Sequence, residues 1–354
     1  MTVFITVISF FIIIVVIILA HEIGHFVTAR ATKVKVEEFG LGYPPRLLSF
    51  KRGETIYSLN AIPIGGFCKM AGEEDPEVPR SLASKSVGVR ILVLSAGSLM
   101  NFLLPLLLFS IAFMIPHDLI TGQTVVREVT PDSPASLAGI EPGDTILSVN
   151  NKKVNNSGDL RRYIQLNLGR EIDMVIQHDD STTETVQLTP RWRPPEGDGA
   201  TGIGVTTLNI EAVRQHYPFW QAIPKGVGAC IETFVLFKNG IFSMIIGTVP
   251  VAITGPVGIA QLTGEVAKAG MSPLLEFAAF LSINLGLVNI FPLPALDGGR
   301  IAFALLEWVR RGKRIQPKTE GIIHLIGFAL LIVFLLAITF QDILRIIRGE
   351  SLIP

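Results

Sequence analysis

Residues 3–25 read VFITVISFFIIIVVIILAHEIGH. Val3 to Ala20 carries no charge and only Thr6 and Ser9 as polar interruptions, and at 1.5 Å per residue a helix of this length crosses most of a bilayer. His21, Glu22 and His25 follow at once. On a helix the two histidines stand one turn apart on one face, where two imidazoles can hold one Zn²⁺ while Glu22 reaches its bound water. Ionisable side chains at membrane depth need a cavity, a partner or an ion, and a metal answers for all three. Taken alone, the same residues would also mark the end of a transmembrane helix at the headgroups.

Working outward, 49% of the 354 residues are hydrophobic and 17% charged, with a mean hydropathy of +0.50, which is the composition of a membrane protein carrying some soluble mass. The formal net charge is zero, so no nucleic-acid partner is indicated. Cys68 and Cys230 are far apart and fall on opposite sides of the expected topology, which indicates no disulfide framework. The first apolar run has no positive residue before it and no small-residue cleavage pattern after it, and is expected to be a retained span.

Ten positive residues between Arg30 and Arg90 mark the next segment as cytoplasmic and place the N-terminus outside. A second uncharged span at about 91–115 returns the chain outward, and a third at 274–291 breaks at Pro292 and Pro294 before helical character resumes over 301–309. Arg310, Arg311, Lys313, Arg314 and Lys318 form a second cytoplasmic cluster ahead of a fourth span at 321–340. The apolar stretch 234–259 is interrupted by Lys238, Asn239, Gly240, Pro250, Gly255 and Pro256. A surface-lying or re-entrant piece is expected there, because a fifth span would invert the later charge bias.

A catalytic zinc takes three protein ligands and leaves a position for water, so the two histidines need a partner. In the stretch Asn284-Leu-Gly-Leu-Val-Asn289-Ile-Phe-Pro-Leu-Pro-Ala-Leu-Asp297-Gly-Gly299 one carboxylate follows the broken span. Backbone opened by the prolines and the glycine pair is tolerated at depth where it lines a polar cavity. Asp297 as third ligand explains both the charge and the break. A helix-capping aspartate at the membrane surface is the other reading, and the parallel courses of the first and third spans, which set Asp297 and His21 at similar depth, favour the ligand.

These two motifs together resemble the site-2 protease family of intramembrane zinc metalloproteases, in the bacterial branch that includes the regulator of sigma-E protease. The resemblance implies that His21, His25 and Asp297 hold Zn²⁺ and that Glu22 is the catalytic base. It also implies that Asn284 and Asn289 hold an unwound substrate strand, and that Gly66, Phe67, Cys68, Lys69 and Met70 belong to a membrane-associated β-hairpin that meets the substrate. Ala96-Gly-Ser-Leu-Met-Asn101-Phe102 and Thr254-Gly-Pro-Val-Gly-Ile259 match further segments of the family in its order. Implied with them are a bacterial inner (plasma) membrane and single-span substrates such as anti-sigma factors or signal-peptide remnants.

Between the second and third spans, short strands are expected at 124–129, 145–149, 172–177 and 185–188, with helices at 133–138 and 157–168. Ser133-Pro-Ala135 followed by Ala138-Gly-Ile-Glu-Pro-Gly-Asp-Thr-Ile146 resembles a PDZ domain of the kind attached to bacterial proteases, which implies a peptide ligand added as a strand. A spacer that only excludes bulky substrates fits the same sequence.

The expected fold is therefore an α-helical polytopic membrane protein of about four transmembrane helices, with a membrane-associated β-hairpin on the cytoplasmic side and an inserted α+β PDZ domain. The expected divisions are 1–29, 30–85, 86–116, 121–207 (the PDZ, outside), 208–272 (amphipathic or re-entrant), 273–309, 319–342 and the tail 343–354. Partners are the lipid bilayer, single-span membrane proteins and a PDZ-bound peptide. A metal or proton transporter also uses intramembrane histidines and a carboxylate, but has no need of Glu22 beside them. A catalytically silent scaffold is the third reading, and the intact set His21, Glu22, His25 and Asp297 argues against it.

Overall fold

The computed structural model describes residues 2–249 and 254–349, the side chains of residues 2, 3, 63 and 64 excepted. Pro250 and the end of the tail, 350–354, lie outside the described residues. The chain divides into two compact units: Met1–Phe113 with Ala222–Val227 and Ile253–Pro354, and Met114–Gln221 with Gly228–Ala252.

The first unit is built on α1 (Thr2–Ala31), α2 (Val87–Met114), α6 (Pro256–Ala269), α7 (Met271–Ile290), α8 (Asp297–Val309) and α9 (Pro317–Ile347). Of these, α1, α2, α7 and α9 are long and apolar enough to cross a membrane. Leu325, Leu330, Val333 and Leu336 of α9 each leave more than 60% of their surface uncovered, which suits hydrocarbon and is costly in water.

Contacts within this unit fix the helix directions. Gly264 of α6 backs onto Thr6 near the start of α1, and α7, which follows α6, ends with Asn289 beside His21. The α1 and α7 helices therefore run the same way. α2 runs oppositely: Arg90 at its start pairs with Glu307 of α8, while Asn101 lies beside His21. α9 also runs oppositely, since Asp342 near its end accepts the Gly258 amide of α6 at 2.7 Å. Arg90 and Glu307 are both buried, and Arg314 joins them through a 3.0 Å bond from Nε to Glu307.

Between α1 and α2 the chain makes one long hairpin, β1 (Val36–Arg52) and β2 (Thr55–Met70), bent back on itself. Glu38 pairs with both Lys69 and Ile56, and Arg46 with Asn60, so two bent strands give four antiparallel rungs in the order 66–70, 36–41, 55–60, 46–52. The bend encloses Glu38, which accepts from Ser58 Oγ at 2.7 Å and pairs with Arg46. The 66–70 rung is an edge.

The second unit is an antiparallel sheet in the order β7-β6-β4-β3-β8, with β5 (Lys152–Lys153) paired to β4. Its strands are β3 (His117–Val129), β4 (Thr145–Val149), β6 (Ile172–Gln177), β7 (Thr183–Leu188) and β8 (Ile203–Gln215), and α3 (Pro134–Leu137) and α4 (Ser157–Leu166) complete it. Alternating inward residues such as Ile172, Met174 and Ile176 build its core, closed by Leu160 of α4. The sheet runs past the expected division at 121 and 207, because β3 and β8 pair from His117↔Gln215 to Val129↔Ile203.

α5 (Phe219–Ile245) is continuous through Lys238, Asn239 and Gly240, where the sequence suggested a break. Within it the Asn239 amide donates to the Gln165 carbonyl at 2.6 Å. By length and composition α5 is a fifth helix capable of crossing a membrane.

Candidate active site

The α1 helix carries His21 and His25 one turn apart, both buried. Asp297 reaches them from the other end of the chain. Helix α7 stops at Ile290, Phe291 turns extended, and Pro292 and Pro294 prevent the helix from resuming until Asp297 opens α8. Ala295 takes a left-handed φ of 76° in this turn, held by its amide donating to His324 Nδ1 at 2.9 Å. Gly298 follows because a Cβ there would meet the Phe291 carbonyl oxygen at 2.0 Å.

The three ligand atoms form a nearly equilateral triangle. His21 Nε2 and His25 Nε2 each lie 3.1 Å from Asp297 Oδ2 and 3.2 Å from one another. Tetrahedral zinc with bonds of 2.0–2.1 Å sets its ligands about 3.3–3.4 Å apart, so the set needs only a slight spreading to hold the ion. Among the described residues this is the cluster of histidines and acids that could hold a metal. Asp297 is the first residue of α8, after the N-cap Leu296, and its carboxylate faces the two histidines.

The surroundings orient the ligands. His25 Nδ1 donates to the Val93 carbonyl at 2.9 Å, leaving Nε2 bare for a metal. The Asn101 carboxamide lies 3.4 Å from His21 Nδ1, fully buried, with its Oδ1 unpaired. A half-turn of that amide lets Oδ1 accept from Nδ1–H and again frees Nε2. Asn289 Nδ2 stands 3.4 Å from His21 Nε2. Gly97 of α2 faces the triangle, where a Cβ would lie 2.4 Å from His25 Nε2.

Glu22 shares a cavity of about 340 Å³ with the triad. One wall is the edge strand Gly66–Met70. The opposite wall is the turn and first residues of α8, Ala295 to Asp297 and Arg300. Two carboxylates beside two imidazoles make a donor set suited to a dication.

The structure thus gathers His21, Glu22, His25, Asp297 and Asn289 with the strand 66–70. It does not bring Asn284 to them: that amide donates to the Phe280 carbonyl in its own helix at 3.3 Å, and the residue does not line the cavity. Asn289 contacts His21 rather than the open cavity. Asn101, the Val93 carbonyl and Arg300 were not singled out from sequence. Asn101 stood in a quoted motif, but nothing local ties it to a histidine eighty positions earlier.

Comparison with known proteins was made against this geometry. The family model described as peptidase family M50 matches residues 9–334. A putative zinc metalloprotease of Clostridium acetobutylicum is 34% identical over 333 residues, covering 93% of this chain and 94% of its own. Zinc metalloprotease RasP of Oceanobacillus iheyensis is 28% identical over 429 residues, covering 96% and 99%. The regulator of sigma-W protease RasP of Bacillus subtilis is 28% identical over 426 residues with the same coverage. The solved PDZ domain of an SdrC-like protein from Listeria monocytogenes covers 23% of this chain and 85% of its own at 20% identity, and its TM-score of 0.21 is too slight to carry a fold assignment.

Proposed function

This chain belongs to peptidase family M50 and is a zinc metalloprotease of the membrane, and on that premise we propose that it cleaves the transmembrane segments of single-span membrane proteins in regulated intramembrane proteolysis. The observation that carries the proposal is the meeting of His21, His25 and Asp297 within 3.2 Å, with Glu22 in the same cavity.

In this reading His21, His25 and Asp297 hold the zinc. When bound, zinc supplies the Lewis acid that polarises the scissile carbonyl and brings the pKa of water toward neutrality. Glu22 takes a proton from the attacking water and hands it to the leaving amine. A helix cannot present its carbonyl carbons while its backbone is hydrogen-bonded to itself. The edge strand 66–70 gives an unwound stretch alternative partners, and Asn289 orients His21.

Positive residues at 30–90 and 310–318 support an active site toward the cytoplasm, with the N-terminus and the second unit outside. The common direction of α1 and α7 supports the same topology with α1, α2, α7 and α9 crossing. A crossing by α5 would put the later positive cluster outside, so we place α5 along or partly within the outer leaflet. We read the second unit as a PDZ domain: a groove between α4 and the start of β8, lined by Ile164, Gln165, Ala200 and Ile203, is where an extended peptide would lie. Anti-sigma factors and signal-peptide remnants are the substrate classes proposed.

The test is cleavage of a single-span protein, tagged at both ends, by the purified chain in proteoliposomes. Paired fragments ending inside the span support the proposal; fragments ending only in soluble regions oppose it.

A further inference from the structure

The cavity closes at one end on a charge pair that the chemistry above does not use. Glu73, three residues beyond β2, accepts the Met70 amide at 3.1 Å through Oε1, and its Oε2 pairs with Arg300 Nη1. Arg300 sits one turn past Asp297 on α8, and both charged residues line the cavity that holds the triad. The pair therefore ties the strand wall to the α8 wall. The two side chains are 34% and 23% exposed, for Arg300 and Glu73 respectively, and one carboxylate serving two donors is better held than an open surface pair.

Hydrogen-bonding parity shows what this does to a bound peptide. Along an edge strand alternate N–H groups face outward. Here Met70 gives its outward amide to Glu73. A peptide laid along Gly66–Met70 finds the last amide taken and the way beyond it crossed by the ion pair. The edge offers five residues, about 16 Å at 3.3 Å per residue, so a block at one end fixes the register of whatever lies along it.

We propose that the Glu73–Arg300 pair is a stop that ends the substrate's extended stretch and thereby selects which peptide bond lies over Glu22 and the His21–His25–Asp297 triad. The proposal rests on the reading of this chain as an intramembrane protease whose substrate pairs with β2. Glu73 and Arg300 are positioning residues: losing the pair changes where the substrate is cut more than whether it is cut.

The experiment uses the full chain in detergent with one single-span substrate carrying helix-destabilising residues in its span, and reads product masses. Wild type is expected to cut chiefly one bond. Glu73→Gln keeps the shape and an acceptor for the Met70 amide but drops the charge. Its cut is expected to spread, the wild-type bond losing about three- to fivefold in preference over its neighbours, the range a partly exposed ion pair supports. Arg300→Lys keeps the charge without the fork and is expected to fall between. Zinc content and thermal midpoint separate this from misfolding, and Glu73→Asp, shorter by one methylene, replaces either variant that does not fold. The same single bond cut by every folded variant, whatever its rate, overturns the stop. No cleavage by wild type on a substrate that a related protease cuts contradicts the protease reading, and the stop falls with it.

Discussion

Asp297 Oδ2 lies 3.1 Å from His25 Nε2 across 272 residues of chain, and the space for that meeting is kept open by a glycine on a third helix. A Cβ on Gly97 would stand 2.4 Å from the same His25 nitrogen and 2.6 Å from His21 Cε1. Gly97→Ala is therefore expected to push the imidazoles apart and to lower bound zinc and turnover by roughly 100-fold or more, since ligand geometry must hold within a few tenths of an ångström. Zinc per chain and proteolysis check it, with circular dichroism to confirm that the helices persist.

With His21 as a zinc ligand, Asn101 would act on the metal through that ring. Loss of an outer-shell partner typically lowers metal affinity about 10- to 100-fold. Asn101→Ala is expected to fall in that range, and Asn101→Asp, which restores an acceptor for Nδ1–H, to recover part of it. Competition with a zinc chelator measures both; unchanged affinity in Asn101→Ala would remove Asn101 from the account.

The buried Arg90–Glu307 pair joins the start of α2 to α8, the helix that presents Asp297. Removing Glu307 strands the buried Arg90, at a cost of about 3–5 kcal/mol, whereas removing Arg90 leaves Glu307 paired with Arg314. Glu307→Gln should lower the thermal midpoint markedly and Arg90→Met less, and the double variant Arg90→Met with Glu307→Met should recover much of the loss seen in Glu307→Gln. The measurement is a thermal scan in detergent.

His178 of the second unit is hydrogen-bonded first to Asp144, at 2.7 Å, and then to Glu184, and these bonds raise its pKa above the ordinary histidine value. A raised folded pKa stabilises below the unfolded value, near 6.5, and the contribution is lost as pH rises through the folded one. Hydrogen exchange at β4, β6 and β7 should therefore be slower in wild type than in His178→Gln at pH 5.5, and the difference should vanish at pH 9. A difference that grows with pH would reverse the assignment.

The meeting of His21, His25 and Asp297 could be expected from the sequence because each part is local. The i, i+4 spacing of His21 and His25 puts both on one helical face, and a carboxylate after a proline-broken span has few other uses at depth. The core strands β4 and β6 were legible for the same reason, as alternation within a few residues. β8 was not: residues 203–215 carry no clean alternation, and what makes them a strand is the ladder to β3 eighty residues earlier. The stretch 234–259 reads as interrupted at Lys238, Asn239 and Gly240, yet α5 runs through all three. Asn101, Gly97 and the Glu73–Arg300 pair depend on which helices cross where, which no local pattern states. Asn284 shows the converse: a residue placed in the site by its position in a motif spends its amide on its own helix.

The most direct measurement is zinc content together with cleavage of a transmembrane substrate by purified wild type, Glu22→Gln and Asp297→Ala. The account predicts zinc in wild type and Glu22→Gln, much less in Asp297→Ala, and cleavage by wild type alone. Turnover by Glu22→Gln, or full zinc in Asp297→Ala, would contradict it.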